Sequence, residues 1–249
     1  MSKSYDKKAL RTSGLIAYWP MNEESGTVVY DMGPNGYNCV SAGLVRTPQN
    51  GFLGPDGSRC AQFKTASSDI DIIAAAPSSS TVKSWGKGSQ TTGSVAVWVA
   101  ILDANLKGTT GMHVFRVAAD DNNEIEIYFD TTAYRFAMLF NGGGTGVTNN
   151  STLAYNVDGG PQNPEWHHLC MTYSTATMLT YLDGKVETDT ADTSSSAWSG
   201  NYATNLMQVG VPSSTATTSD FFTGYMKGLL WSGHQLGDAE VLGLATAGP

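Results

Sequence analysis

Hydrophobic residues along this chain fall in short runs rather than in stripes at helical spacing. Val95, Ala96, Val97, Trp98, Val99, Ala100 and Ile101 form an unbroken apolar run, which suits a strand covered on both faces. Glu124 to Phe129 alternates polar and apolar positions, the pattern of a half-buried strand. Tyr134 to Phe140 follows after Asp130-Thr131-Thr132-Ala133, and the spacing predicts a hairpin between the two runs. A second hairpin is predicted at Asp183-Gly184, between Met178–Leu182 and Lys185–Glu187, because a two-residue Asp-Gly turn matches the twist of antiparallel strands. One helix is expected near the C-terminus. Gly237 or Asp238 caps its start, Glu240 sits in the first turn where the helix dipole favours an anion, and Val241, Leu242, Leu244 and Ala245 supply its apolar side.

These elements predict an all-β fold, a two-sheet antiparallel sandwich with one short C-terminal helix. The stretches 81–92, 188–201 and 213–219 are Ser/Thr-rich and read as surface loops. Residues 142–146, Gly-Gly-Gly-Thr-Gly, read as a loop and not a phosphate cradle, since no strand-to-helix pattern frames them.

Three separated segments resemble the laminin-G-like jelly-roll family, within the concanavalin A-like lectin and glucanase superfold. The first is Leu15–Asn22 with Gly26 and Asp31. The second is Glu165–Tyr173, containing Trp166-His167-His168, followed by Leu179–Lys185. The third is Phe222–Trp231 followed by Leu236–Leu242. The resemblance implies a jelly roll over residues 14–249, and the charge of residues 1–13 before it reads as a basic arm. The resemblance fixes the fold much better than the function, because this superfold hosts lectins, adhesion modules, glycosidases and virion proteins.

Charge divides the chain. Lys3, Lys7, Lys8 and Arg11 stand against Asp6 in the first eleven residues, whereas the whole chain carries −8. The acidic body lacks the basic footprint that nucleic-acid binding requires. The arm is expected to dock on an acidic neighbour or on its own domain. No apolar run is long enough to span a membrane, and Met1–Arg11 lacks the apolar core of a secretory signal. The expectation drawn from this is an exterior virion component, as a capsid decoration, tail or fibre protein. Such a component would dock on protein subunits of a larger assembly and contact glycans or a host surface. The alternative is a carbohydrate-binding module of a secreted or cell-surface protein.

Candidate chemistry is sparse. Glu124, Glu126 and Tyr128 share one strand face. The family's retaining glucanases resemble Glu-x-Asp-x-Glu or Glu-x-Asp-x-x-Glu here, and a retaining pair needs carboxylates about 5–5.5 Å apart. Tyr128 occupies the third position of the shorter pattern, and Asp130 lies too far along the strand. A glycoside hydrolase is therefore the weakest reading, and no catalytic residue is assigned. His167 and His168 point to opposite faces of a strand and cannot easily share an ion. Cys39, Cys60 and Cys170 fit no disulfide framework or zinc pattern, and Cys170 reads as a core residue.

Asp120, Asp121 and Asn123 group hard oxygen ligands suited to calcium. The same residue types favour a hairpin turn, which is the preferred reading. The family's closing strand commonly reads Gly-x-Ile-Asp-Glu-Val, whereas Lys227 and Gly228 replace its two acids here. An ammonium at that place would repel a cation or substitute for one. For ligand contact, Trp85, Tyr155, Trp198 and Tyr202 lie in polar loop surroundings, where an aromatic face can stack on a sugar or anchor a protein partner.

Overall fold

The computed structural model describes residues 4–24, 26–42, 45–46, 53–63, 72–75, 92–101, 112–120, 123–131, 135–142, 145–150, 165–174, 177–187, 191–192, 206–210 and 222–247. The first strands are β1 Leu15–Trp19, β2 Val28–Val29, β3 Cys39–Ala42, β4 Val45–Arg46, β5 Ala61–Phe63 and β6 Ile72–Ala75. The middle of the chain supplies β7 Gly93–Ile101, β8 Met112–Asp120, β9 Asn123–Asp130, β10 Arg135–Gly142 and β11 Thr145–Asn150. The remainder are β12 His167–Tyr173, β13 Thr177–Leu182, β14 Lys185–Val186, β15 Ala191–Asp192, β16 Leu206–Val209 and β17 Gly224–Ser232. Among the described residues two helices flank them, α1 Ser4–Ala9 and α2 Asp238–Ala245.

The strands build two antiparallel sheets. One has the order β14-β13-β12-β7-β17-β5-β4, with β1 also paired to β17 and β15 to β13. The other runs β11-β10-β9-β8-β16-β6-β3-β2. Both expected hairpins are present. Arg135 pairs with Asp130 across β9 and β10, and Lys185 pairs with Leu182 around Asp183-Gly184. At that turn Asp183 and Gly184 both have positive φ, 52° and 79°, as a two-residue hairpin of this hand requires.

The main core lies between the sheets. Val95, Val97, Val99 and Ile101 point into it beside Leu169, Met171, Leu229 and Trp231, and Ile125, Ile127, Phe129, Phe136, Met138 and Phe140 face them. The other face of β7 is also covered. Ala96 and Trp98 join Tyr18, Cys170, Tyr181 and Leu230 in a second cluster sealed by Tyr5 and Ala9 of α1 and by Val241 and Leu244 of α2. Burial on both faces is the reason β7 carries no polar alternation.

The basic N-terminal segment is therefore packed on its own domain. Tyr5 donates its hydroxyl proton to the Gly228 carbonyl at 3.0 Å, and the Tyr18 hydroxyl donates to Asp6 Oδ1. Lys8 Nζ donates to the Gly243 carbonyl of α2 at 2.6 Å. Helix α2 starts as expected, with Glu240 Oε2 accepting the Gly237 N–H at 3.0 Å. Leu242, expected on its apolar side, is exposed, while Val241, Leu244 and Ala245 are buried. All three cysteines are buried free thiols. Among the described residues no helix is long and apolar enough to cross a membrane.

Candidate functional site

Residues 20–24 and 26–38, the 53–60 turn and the irregular stretch of β17 come together beside β1. The organiser of this region is Asp31, a buried carboxylate. Asp31 Oδ1 accepts the N–H groups of Tyr18 at 2.8 Å and Gly33 at 2.7 Å, and Oδ2 accepts that of Tyr37 at 2.8 Å. Its own N–H donates to Asn38 Oδ1 at 3.0 Å. The residues on either side are fixed as firmly. Tyr30 N–H donates to Glu23 Oε1 and Met32 N–H to the Tyr18 carbonyl, both at 2.8 Å. Three consecutive backbone amides are thus committed, yet the side chains of Tyr30 and Met32 stand 53% and 58% exposed. Asn35 ties the far side of the loop to β1 through the Ile16 carbonyl at 2.8 Å. Glu24 and Arg59 form an exposed ion pair of 3.2 Å on the adjoining rim.

Beneath the rim lies a buried cation. Lys227 is 1% exposed, and its Nζ is 3.0 Å from Asp56 Oδ1. It also donates to Ser58 Oγ and, at 3.1 Å, to the Arg59 carbonyl. Asp56 Oδ1 in turn accepts the Ser58 N–H at 2.9 Å. The ammonium is surrounded by a carboxylate, a hydroxyl and a carbonyl, three oxygens for its three N–H donors.

The outer face of β8–β10 carries the carboxylates that invited a catalytic comparison. Glu124 Oε2 accepts from Arg116 Nε at 2.9 Å and Nη2 at 2.7 Å. Glu126 pairs with His113, whose ring lies 5.9 Å from that of Tyr128. Each carboxylate is thus held by its own partner, Glu124 by a guanidinium and Glu126 by an imidazole, and Tyr128 occupies the position where a third acid would stand. Arg116 and His113 lie opposite this strand in the register of β8, at Glu126 and Tyr128 respectively. The strip is consequently a cross-strand ladder of paired polar side chains.

His167 and His168 lie on opposite faces, as alternation dictates. His167 Nδ1 is 2.8 Å from Asp183 Oδ2, while the His168 ring is fully buried between Tyr5 and Trp98 at centroid distances of 5.9 and 5.1 Å. Neither His168 ring nitrogen has a hydrogen-bond partner among the described residues. Burial pushes its pKa down to about 3, against a smaller opposing effect of the Asp183 charge. Burial alone would raise the Asp183 carboxyl, but hydrogen bonds from His167 and from the His168 amide outweigh it and hold the group below its ordinary value.

Of the residues singled out from sequence, Trp85, Tyr155, Trp198, Tyr202 and Lys3 lie outside the described residues. Lys7, Lys8 and Arg11 are exposed on and just after α1. Asp121 also lies outside the described residues. Asp120 and Asn123 are paired backbone to backbone where β8 meets β9, the hairpin arrangement preferred from composition. No group of three or more His, Cys, Asp or Glu side chains suited to a metal is present among the described residues. Tyr30, Met32, Asp56 and Ser58 were not singled out. Asp56 stands in Gly54-Pro55-Asp56-Gly57, a turn composition that gives no sign of its ion pair.

A laminin G-type family model, described as the concanavalin A-like lectin/glucanases superfamily, matches residues 74–242. The chain belongs to this superfamily. Sequence comparison with curated proteins finds no match. Among solved structures, the receptor-binding domain of botulinum neurotoxin D superposes with a TM-score of 0.62 at 10% identity, over 94% of this chain and 52% of that one. A botulinum neurotoxin type C structure, whose cell entry is described as dependent on two ganglioside molecules, gives 0.63 at 13% identity over 94% and 51%. The Trypanosoma rangeli sialidase in complex with 2,3-difluoro-KDN gives 0.61 at 14% identity over 95% and 33%. At these identities the likeness is one of fold. The concanavalin A-like chain described here spans about half the length of the toxin chains and a third of the sialidase.

Proposed function

We propose that this chain is a lectin-type binding module that recognises a glycan at the loop end displaying Tyr30 and Met32. The observation that carries the reading is the fixed backbone under an exposed aromatic. The amides of Tyr30, Asp31 and Met32 are all committed, while the Tyr30 ring faces solvent. A sugar ring stacks its C–H face on such an aromatic, and a pre-ordered loop removes part of the entropy cost of binding. Glu23, Glu24 and Arg59 supply hydrogen-bonding groups for sugar hydroxyls beside it. The superfamily's lectin members, and neighbours that engage gangliosides or a sialic-acid analogue, favour the same class of ligand.

Catalysis is the weaker reading, since Glu124 is held by the Arg116 guanidinium and Glu126 by the His113 ring, and Tyr128 stands where the pattern needs a third acid. The virion-exterior reading draws no support from the fold comparisons. The proposal puts the module wherever glycans are displayed, on an exterior surface. The test is a glycan array probed with the wild-type chain and Tyr30→Ala. Binding to a defined glycan set, lost in the variant, is expected. An array with no signal above background, or a signal unchanged by the substitution, overturns the proposal.

A further inference from the structure

A second recessed site lies away from the Asp31 loop, where the N-terminal segment meets α2. It is a groove of about 210 Å³ lined by Lys8, Arg11, Thr12, Glu240, Gly243 and Leu244. We propose that this groove binds the acidic sugar unit of a saccharide, with the carboxylate held by Arg11 and Lys8 and the hydroxyls by Glu240 and Thr12.

Each lining group has a part in that reading. Lys8 is fixed by its bond to the Gly243 carbonyl, which uses one of its three N–H donors and leaves its charge at the groove. The Arg11 guanidinium has no side-chain partner among the described residues, and its planar fork matches a carboxylate in bidentate fashion. These cations gather in a chain of net charge −8, so their clustering runs against the overall balance. Thr12 donates its hydroxyl proton to the Lys8 carbonyl at 3.2 Å and keeps oxygen lone pairs free to accept.

Glu240 decides between ligand classes. Its Oε2 accepts the Gly237 amide, leaving the other oxygen as an acceptor. A sulfate offers only acceptors and is repelled by that carboxylate. A hydroxylated carboxylic acid offers both an anion for the cations and hydroxyl donors for Glu240 and Thr12. Leu244 gives an apolar wall for the C–H edge of a ring, and Gly243 adds no side chain to the floor. The volume lies below the roughly 300 Å³ at which drug-sized pockets begin, so the groove takes one residue of a chain. The inference does not depend on the Tyr30 loop.

The test is an amide-shift titration of the full chain with free glucuronic acid, N-acetylneuraminic acid, glucose and inorganic sulfate. The proteins are wild type, Arg11→Gln, Glu240→Gln and Tyr30→Ala. All three positions tolerate these changes, because Arg11 and Tyr30 are exposed and Gln keeps the acceptor for Gly237. At least one acidic sugar is expected to bind saturably, with shifts at residues 8–12 and 240–244. Glucose and sulfate should each bind about tenfold more weakly or worse, as expected for loss of a charge-assisted contact. Arg11→Gln should weaken the acidic sugar by a similar factor, and Tyr30→Ala should leave it unchanged. Glu240→Gln should weaken the acidic sugar and strengthen sulfate. Binding of neither acid, sulfate binding as tightly as the acids, or indifference to Arg11→Gln would each overturn the inference.

Discussion

The Lys227 ammonium lies 3.0 Å from the Asp56 carboxylate with both side chains buried. It stands where the family's closing strand commonly carries an acid. The pair binds the 53–60 turn to the irregular stretch of β17, whose register with β7 shifts between Lys227 and Leu230. Removing one partner leaves the other buried and unpaired. Lys227→Met is expected to cost about 3–5 kcal/mol, read as a fall in denaturant midpoint. Lys227→Met combined with Asp56→Leu should recover much of that loss, since an apolar replacement of a buried pair is often neutral. Recovery should stay incomplete because Asp56 also accepts the Ser58 amide. A single variant as stable as wild type contradicts the pairing.

Asp31 and Tyr30 separate fold from recognition. Asp31→Ala orphans the amides of Tyr18, Gly33 and Tyr37. At about 1–3 kcal/mol for a group left unsatisfied, it should cost several kcal/mol, reduced where water reaches the loop. Tyr30→Ala removes an exposed ring and should change stability by about 0.5 kcal/mol or less. Thermal melts of the two variants check this contrast.

His168 makes the domain acid-sensitive. Its imidazole titrates near 6.5 when unfolded, whereas burial holds it at about 3 when folded. Between those values the unfolded state binds more protons, so this contribution is fully present above about pH 6.5 and is lost as pH falls. The slope approaches about 1.4 kcal/mol per pH unit. The ring is faced by Tyr5 from α1 and Trp98 from β7, with the Asp183 charge nearby. His168→Phe should flatten the acid limb by close to one proton, measured from urea unfolding at pH 7, 5.5 and 4.5. Parallel limbs in the two proteins would exclude it.

Gly228 sets the seat of α1. Its φ is +65°, and an added Cβ would meet the Tyr5 ring at 2.5 Å. Gly228→Ala should therefore cost about 1–3 kcal/mol through overpacking, with further backbone strain. Hydrogen exchange at residues 5–12 should rise more than in β7 or β12. Uniform exchange across the domain would show that α1 does not depend on this contact.

What could be read from sequence follows from the physics of each signal. The run at Val95–Ile101, the alternation at Glu124–Phe129 and the Asp183-Gly184 turn are local patterns with one structural solution, and each element is present. Helix α1 was hidden because only Tyr5 and Ala9 mark its apolar side. A six-residue helix has little stability of its own and forms here against Trp98, Tyr18 and Gly228. Lys227 was conspicuous as a replaced acid, but its partners Asp56 and Ser58 are brought to it only by the pairing of β5 with β17. Tyr30 was missed for a similar reason. Its exposure comes from the way Asp31 gathers amides from β1 and the 33–37 loop, and composition selected other aromatics, in Ser- and Gly-rich stretches.

The most direct measurement is calorimetric titration of the wild-type chain and Tyr30→Ala with the strongest glycan from the array. The account predicts saturable binding by wild type, a loss of about tenfold or more in Tyr30→Ala as stacking area is removed, and superimposable melting curves. Equal affinity in the two proteins would contradict recognition at the Asp31 loop.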